Sequence, residues 1–478
     1  MACKNCGKKK EKHDLLYIMN PACGWCKRSD PVVQELVDAG YEITTLNLQD
    51  PSQAERANEA KSKHNARCGT PFFLDAETGN MICGFKPKEE LEKWAKGEKI
   101  PAPPPRPNQQ QPQQPQQPAI QLNKLEYIWL DGNENKGIRS KVKYLEINRT
   151  KIRSKDDLLK EMPEWSFDGS STKQAAGEIS DCVLKPVKVI PNSTDARGQM
   201  PSFIVLCEVY DHEGNPHKTN TRSRLREIAK ESESHEMWFS IEQEYTLVDP
   251  VTYAPFGWDK FEDGAPGPQG DYYCGNGSSV AKGREIAEGH ALSCVNSGIP
   301  IEGINAEVML SQWEYQTKPK NPLDAADDLW VTRFLLQRLA ERMGLSVSYD
   351  PKPVMGDWNG SGAHINFSTK YMREHADMGY MNLICASMEE HHKEAIEHYG
   401  VGNNRRLTGD HETSPIDKFS WGEMDRTASI RIPVTTVNND GKGYLEDRRP
   451  AANVDPYEAF SHLLKVTNNI NEELLIAT

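Results

Sequence analysis

Residues 238–248, WFSIEQEYTLV, alternate with period two. Phe239, Ile241, Tyr245 and Leu247 then share one face of a strand, while Glu242 and Glu244 share the other. A lone pair of this kind is ordinarily a solvated face, but here further acidic groups follow. Glu307 and Glu314 flank the apolar stretch in NAEVMLSQWEYQ, His364 alternates with Asn366 and Ser368 in GAHINFS, and Tyr444, Glu446 and Arg448 alternate in GYLEDRR. Acidic groups and one imidazole on separate strands converge only where metal ions cancel their charge. Hard oxygen ligands with a single His favour Mg²⁺ or Mn²⁺ over zinc.

The opposite charge is also concentrated. Arg405, Arg406, Arg426, Arg431, Arg448 and Arg449 fall within 45 residues, interleaved with Gly and Ser/Thr. A guanidinium binds carboxylate or phosphate through two parallel hydrogen bonds. Carboxylate-held cations facing such a cluster suit transfer of a nucleotide's γ-phosphoryl group, where positioning and charge neutralisation carry most of the catalysis. The plainer reading is that these arginines tie acidic loops together. A GxxxxGK[ST] loop is absent, which disfavours a Walker-type nucleotide site.

These side chains need strands to carry them and helices to cover the strands. Residues 119–220 are rich in strands and turns, and 221–478 mix long helices with alternating strands. The clearest helix is 324–343, with Leu329, Val331, Phe334, Leu335, Leu339 and Met343 predicted as a broad inward stripe. At 478 residues the chain predicts about three domains. It is 37% hydrophobic and 27% charged with a mean hydropathy of −0.71, a soluble globular profile, and neither a membrane span nor a secretory signal is expected. The net charge of −13 leaves no general footprint for nucleic acid or anionic lipid.

One boundary stands out. Residues 101–118, PAPPPRPNQQQPQQPQQP, bury nothing and predict a semi-extended spacer reaching up to roughly 55 Å. Before it, 1–100 predicts the order β-α-β-α-β-β-α, with a strand at 15–19, helices at 29–39, 51–64 and 87–96, and a hairpin turn at 75–79.

Seven segments then carry a resemblance: WSFDGSST (165–172), FSIEQEYTL (239–247), NAEVMLSQWEYQ (305–316), GDWNGSGAHINFST (356–369), NNRRLTGDHETS (403–414), DRTASIRIP (425–433) and GYLEDRRPAANVDP (443–456). In order across 119–478, they resemble glutamine synthetase of the eukaryotic-type class. The resemblance implies an α+β fold: a β-grasp domain at 119–220, then a catalytic domain at 221–478 whose curved antiparallel sheet forms a funnel. It implies ATP-dependent ligation of ammonia to the γ-carboxylate of L-glutamate through γ-glutamyl phosphate. Two or three Mg²⁺ or Mn²⁺ ions per site are implied, with Glu242, His364 and Glu446 holding the ion that faces ATP, and Glu244, Glu307 and Glu314 the one facing glutamate. By the same likeness Arg406 and Arg448, with Asn359 and Gly360, bind glutamate. Arg426 contacts the transferring phosphoryl group. Trp238, Asn366, Ser368, Tyr444 and Arg431 bind the nucleotide. Asp168 and Glu412 handle ammonium and its proton, and Glu412 closes the glutamate end as a flap. Asp168 would be supplied by a neighbouring subunit, so the implied assembly is a homo-oligomer with shared sites, a decamer of two pentameric rings. The expected location is the cytoplasm, or alternatively a plastid.

The first hundred residues hold other chemistry. Six of the eleven cysteines lie there, and Cys23-Gly-Trp-Cys26 follows a strand and opens a helix. A helix N-terminus stabilises a thiolate, making Cys23 the attacking sulfur and Cys26 the resolving one. With Thr70-Pro71 before a later strand, 13–97 resembles a glutaredoxin/thioredoxin-like α/β domain. Cys3, Cys6, Cys23 and Cys26 also fit a zinc spacing, C-x₂-C-x₁₆-C-x₂-C, and an inert docking domain is the third reading. Cys68 and Cys83 are extra thiols or core. The five later cysteines, Cys182, Cys207, Cys274, Cys294 and Cys385, are expected to be buried thiols. Three functions compete: ammonia ligase, a ligase joining glutamate to another amine such as a polyamine, and a disulfide oxidoreductase carrying a retired synthetase as scaffold.

Overall fold

A computed structural model describes residues 13–64, 66, 69–98, 120–195, 200–261, 266–267 and 271–477. The spacer at 101–118 and Cys3, Cys6 and Cys68 lie outside the described residues. The chain divides into two compact units, Met1–Gln116 and Gln117–Thr478.

The first unit runs β1 (Leu15–Met19), α1 (Gly24–Asp38), β2 (Ile43–Asn47), α2 (Pro51–Lys63), β3 (Phe72–Asp75), β4 (Met81–Cys83) and α3 (Lys88–Ala95). Its sheet has the order β2-β1-β3-β4, with β1 parallel to β2 and the other pairs antiparallel. The apolar run on β1 is continuous because both faces are covered. Leu15 and Tyr17 pack with Val33, Phe73 and Trp94, while Leu16 and Ile18 pack with Leu46, Ala57 and Phe72. Thr70-Pro71 is a cis peptide bond.

The second unit begins with β5 (Ile120–Leu130), β6 (Ile138–Asn148), α4 (Lys155–Lys160), β7 (Trp165–Asp168), β8 (Asp181–Pro191) and β9 (Ser202–Tyr210). They form a sheet of order β6-β5-β9-β8-β7, in which only β5 and β9 run parallel. There follow α5 (Thr221–Glu231), β10 (Trp238–Val248), α6 (Arg284–Asn296), β11 (Ile301–Ala306), β12 (Gln312–Thr317), α7 (Pro322–Arg342), β13 (Ser346–Ser348), β14 (Ala363–Ser368), α8 (Lys370–Glu374), α9 (Met378–Glu390) and α10 (His392–His398). The chain ends with β15 (Trp421–Glu423), β16 (Ile430–Ile432), α11 (Val434–Val437), β17 (Leu445–Asp447) and α12 (Pro456–Ala477). Eight strands make the larger sheet, β11-β12-β10-β14-β17-β16-β15, with β13 also on β10. It is mixed rather than wholly antiparallel as expected: β15 and β16 run parallel. Strands of three residues let the short loop at 424–429 bring the chain back in the same direction.

Helix α7 also departs from the expected single stripe. Leu329 through Leu336 are all buried. Val331, Phe334 and Leu335 meet Ile128, Ile204 and Leu206 of the smaller sheet, while Leu329, Trp330 and Leu336 join the core under the larger one. A helix apolar all round is one covered on every side. Met343 lies beyond the last turn and is exposed. Asn321 caps the start, accepting from the Asp324 N–H at 3.0 Å.

Candidate active site

Strand register brings the acidic residues together. Glu244 opposes Glu314 on the β10–β12 ladder, Glu242 opposes His364 on β10–β14, and Asn366 opposes Glu446 on β14–β17. Two sets result. Glu242, His364 and Glu446 offer ligand atoms within 4.8 Å of one another, and Glu244, Glu307 and Glu314 do the same. Nearly every carboxylate is held by a neighbour's amide. Asn366 Nδ2 donates to Glu242 Oε1 at 2.9 Å, Gln312 Nε2 to Glu244 Oε2 at 3.0 Å, Asn305 Nδ2 to Glu307 Oε1 at 2.8 Å, and Gln316 Nε2 to Glu314.

Both sets fit a divalent cation. His364 Nδ1 is buried without a hydrogen bond, 3.4 Å from Glu446 Oε1 and 3.6 Å from Glu242 Oε2. Burial, and then Arg448, hold this imidazole well below the usual histidine range, so it stays neutral. Arg406 Nη2 lies 3.1 Å from its Nε2. A cation on Nδ1 requires the proton on Nε2, so Arg406 must then release that nitrogen and keep its bonds to the Arg448 and Arg449 carbonyls. In the second set, burial raises Glu244, and burial with the neighbouring carboxylates pushes Glu307 up to about 8 and Glu314 well above its usual range. Three crowded carboxyls that resist ionisation are an oxygen-ligand set suited to Mg²⁺ or Mn²⁺.

A cavity of about 500 Å³ contains five of these six groups together with Asn359, Gly360, Arg406, Glu412, Arg426, Arg431 and Arg448. Glu446, almost fully buried, does not line it and is bonded by two residues that do, Arg431 Nη1 at 2.7 Å and Arg448 Nη1 at 2.6 Å. Gly362 lets Arg406 approach, since a Cβ there would stand 2.5 Å from its Nη2. His411 and Glu412 are consecutive residues in the left-handed region, with φ of 53° and 60°, a backbone costing roughly 1–3 kcal/mol per residue. His411 Nε2 meets Asp357 Oδ1 at 3.2 Å and anchors that loop.

The catalytic-domain model of glutamine synthetase matches residues 218–469, and that of the glutamine synthetase β-grasp domain matches 121–212. The chain belongs to the glutamine synthetase family. It is 48% identical over 333 residues to the glutamine synthetase of Emericella nidulans, covering 70% of this chain and 89% of that one. The chloroplastic glutamine synthetase of Chlamydomonas reinhardtii is 47% identical over 350 residues, with 71% and 89% covered, and that of Streptomyces viridochromogenes 49% over 339, with 70% and 93%. The cryo-EM structure of Plasmodium falciparum glutamine synthetase shares the fold, with a TM-score of 0.58 at 16% identity over 73% of this chain and 72% of that one.

A second cavity of this synthetase lies beside the first, and Glu242 and Gln316 line both. It carries Trp238, Asn366, Ser368 and Tyr444, the residues expected around a nucleotide. Arg431, grouped with them from the motif, opens instead onto the acidic cavity. Asp168 lines neither cavity of its own chain. It is exposed and accepts from Ser170 and Ser171 hydroxyls at 2.6 and 2.8 Å, which hold its carboxyl down at about 2.

Sequence reasoning missed the amides Asn305, Gln312 and Gln316, although Gln312 and Gln316 alternate with Glu314 on one strand. It also missed Arg373, whose guanidinium stands 3.9 Å over the Trp238 ring, and buried Arg333. Arg333 donates to Gln243 Oε1 at 2.9 and 2.6 Å and to the Ala452 and Val454 carbonyls. It thereby fixes the residue between Glu242 and Glu244 from behind the sheet.

In the first unit, Cys23 and Cys26 are free thiols, with Cys23 at the cap of α1 and Cys26 buried. The Cys26 backbone N–H and thiol hold Cys23 below the ordinary thiol range, while burial pushes Cys26 up. Cys23 Sγ lies 3.4 Å from the Thr70 carbonyl. Two cysteines differ from expectation: Cys83 is disulfide-bonded, and Cys274 is exposed on a loop, its backbone N–H donating to the Ala306 carbonyl. Among the described residues no helix is long and apolar enough to cross a membrane.

Proposed function

We propose that this enzyme makes L-glutamine from L-glutamate, ammonia and ATP, with ADP and phosphate as the other products. The observation that carries the reading is the convergence of two three-ligand sets and four arginines on one cavity that borders the Trp238 cavity. Glu242, His364 and Glu446 hold one divalent ion and Glu244, Glu307 and Glu314 another. Bound there, Mg²⁺ or Mn²⁺ supplies electrostatic stabilisation of the phosphates and of the γ-carboxylate.

Glutamate's carboxylates are met by Arg406 and Arg448, with Asn359 and Gly360 along the same wall. Its γ-carboxylate attacks the terminal phosphorus of ATP, held beside Trp238, Asn366, Ser368 and Tyr444, and the bond to ADP breaks. Arg426 and Arg431 offset charge on the transferring group. Ammonium gives a proton to Glu412, or to Asp168 of a neighbouring subunit, and the ammonia nitrogen displaces phosphate from γ-glutamyl phosphate. Closure of the Glu412 loop excludes water that would hydrolyse this acyl phosphate. Asp168 lines neither of these two cavities of its own chain, which supports a homo-oligomer with shared sites, as in a decamer of two five-membered rings.

The first unit is proposed as a thioredoxin-like dithiol domain at 1–100, joined by the 101–118 spacer to a β-grasp domain at 119–220 and a catalytic domain at 221–478. Its lowered Cys23 and its β-α-β-α-β-β-α order support a redox-regulatory role in the cytoplasm or a plastid. A γ-glutamyl hydroxamate assay with ATP and Mg²⁺ tests the main activity. Product that requires glutamate, ATP and the divalent ion together is expected, and its absence from the active oligomer overturns the reading.

A further inference from the structure

A third cluster of metal-ligating groups lies outside both cavities. Glu394 and His398 are four residues apart on α10 and share a face, and His462 reaches them from α12. One ligand atom from each lies within 4.8 Å of the others. The His398 and His462 rings are 5.8 Å apart, and His462 Nδ1 is 3.7 Å from Glu394 Oε1, beyond hydrogen-bond reach. The His462 side chain is 4% exposed. Glu458, one turn before His462 on α12, places Oε2 3.7 Å from His398 Nδ1, likewise beyond hydrogen-bond reach. Nearby Arg449 is neutralised by Asp447, with bonds of 2.7 and 2.9 Å.

We propose that Glu394, His398 and His462 bind a zinc-type divalent cation that ties α10 to α12. Two imidazoles and one carboxylate suit Zn²⁺, whereas Mg²⁺ prefers oxygen alone. The exposed Glu394 carboxylate and the half-buried His398 give the ion its entry path. The three residues line neither cavity of the synthetase, and with three protein ligands a water would complete the coordination.

The test uses the full chain, dialysed against Zn²⁺ with Mg²⁺ in excess, comparing wild type with His398→Asn/His462→Asn and with Glu394→Gln. The double variant is expected to retain one Zn²⁺ fewer per chain. Glu394→Gln, at an exposed position that does not threaten folding, is expected to bind at least tenfold more weakly. With Cu²⁺ as the probe, the electron paramagnetic resonance spectrum of wild type should carry couplings from two imidazole nitrogens that the double variant lacks. Equal zinc content in wild type and the double variant overturns the proposal. If the double variant does not fold, unchanged zinc affinity in Glu394→Gln overturns it instead.

Discussion

Arg431 and Glu446 stand directly opposite each other where β16 meets β17, and Arg431 Nη1 donates to Glu446 Oε2 at 2.7 Å. With Arg448 on its other oxygen, Glu446 is a buried carboxyl group held by two guanidiniums beside an unbonded imidazole nitrogen. In the mechanism proposed above, this arginine would link a metal-binding carboxylate to the transferring phosphoryl group.

Arg431→Met keeps the stem and removes the charge. Activity in the hydroxamate assay is expected to fall about 10²- to 10³-fold, mostly in kcat, the usual loss when a preorganised donor at developing charge is removed. Near-normal kcat would remove Arg431 from the phosphoryl site.

Glu307 and Glu314 sit against Glu244 in a buried site, so a cation should stabilise the fold. Mg²⁺ at 100 times its Kd is expected to add about 2.7 kcal/mol, seen as a higher Tm. Glu314→Gln relieves the repulsion. It should raise the metal-free Tm, shrink the gain from Mg²⁺ and abolish activity. A gain equal to wild type would show that the ion lies elsewhere.

His290, fully buried on α6, is lowered by burial to about 4, against an ordinary value of 6.5. Between pH 4 and 6.5 the unfolded chain binds this proton and the folded chain does not, so stability rises with pH across that window. The contribution is fully present above pH 6.5 and is lost as pH falls to 4, on the order of 3 kcal/mol. His290→Gln should flatten that acid limb in urea titrations at several pH values. An unchanged slope refutes the assignment.

Arg333→Met leaves Gln243 Oε1 and the Val454 carbonyl without this donor inside the core, while Gln243 Nε2 still reaches the Ala452 carbonyl. A loss of ~3–5 kcal/mol is expected from denaturant unfolding. Activity should fall with it, since Glu242 and Glu244 flank Gln243. A loss below about 1 kcal/mol would mean that water replaces the guanidinium.

Cys23 should be alkylated by iodoacetamide at pH 7 well before Cys26, followed by peptide mass mapping. If Cys26 reacts first, the attacking and resolving roles are reversed. Equal synthetase activity of wild type and Cys23→Ser/Cys26→Ser, with and without a dithiol reductant, would end the regulatory role.

What was legible in the sequence is what short periods encode. The two faces of β10 follow from WFSIEQEYTLV, and strand register gathers Glu242, His364 and Glu446, and Glu244, Glu307 and Glu314, from separate motifs into two clusters. The α1 strand-to-helix junction that carries Cys23 is likewise local. Long-range requirements were not legible. Arg333 reads as a surface charge on a helix until β10 and the 452–454 backbone close over it. His462 reads as one more polar residue of α12 until α10 arrives. The parallel β15–β16 pair depends on a loop path that residue type does not specify.

Helix α7 has one further consequence. Because Val331 and Phe334 serve one sheet while Leu329 and Leu336 serve the other, neither sheet owns the helix. Cutting the chain between 212 and 218, where the two family matches part, would expose an apolar wall on each fragment. The pair should therefore melt in a single calorimetric transition, and neither half would survive as an autonomous module.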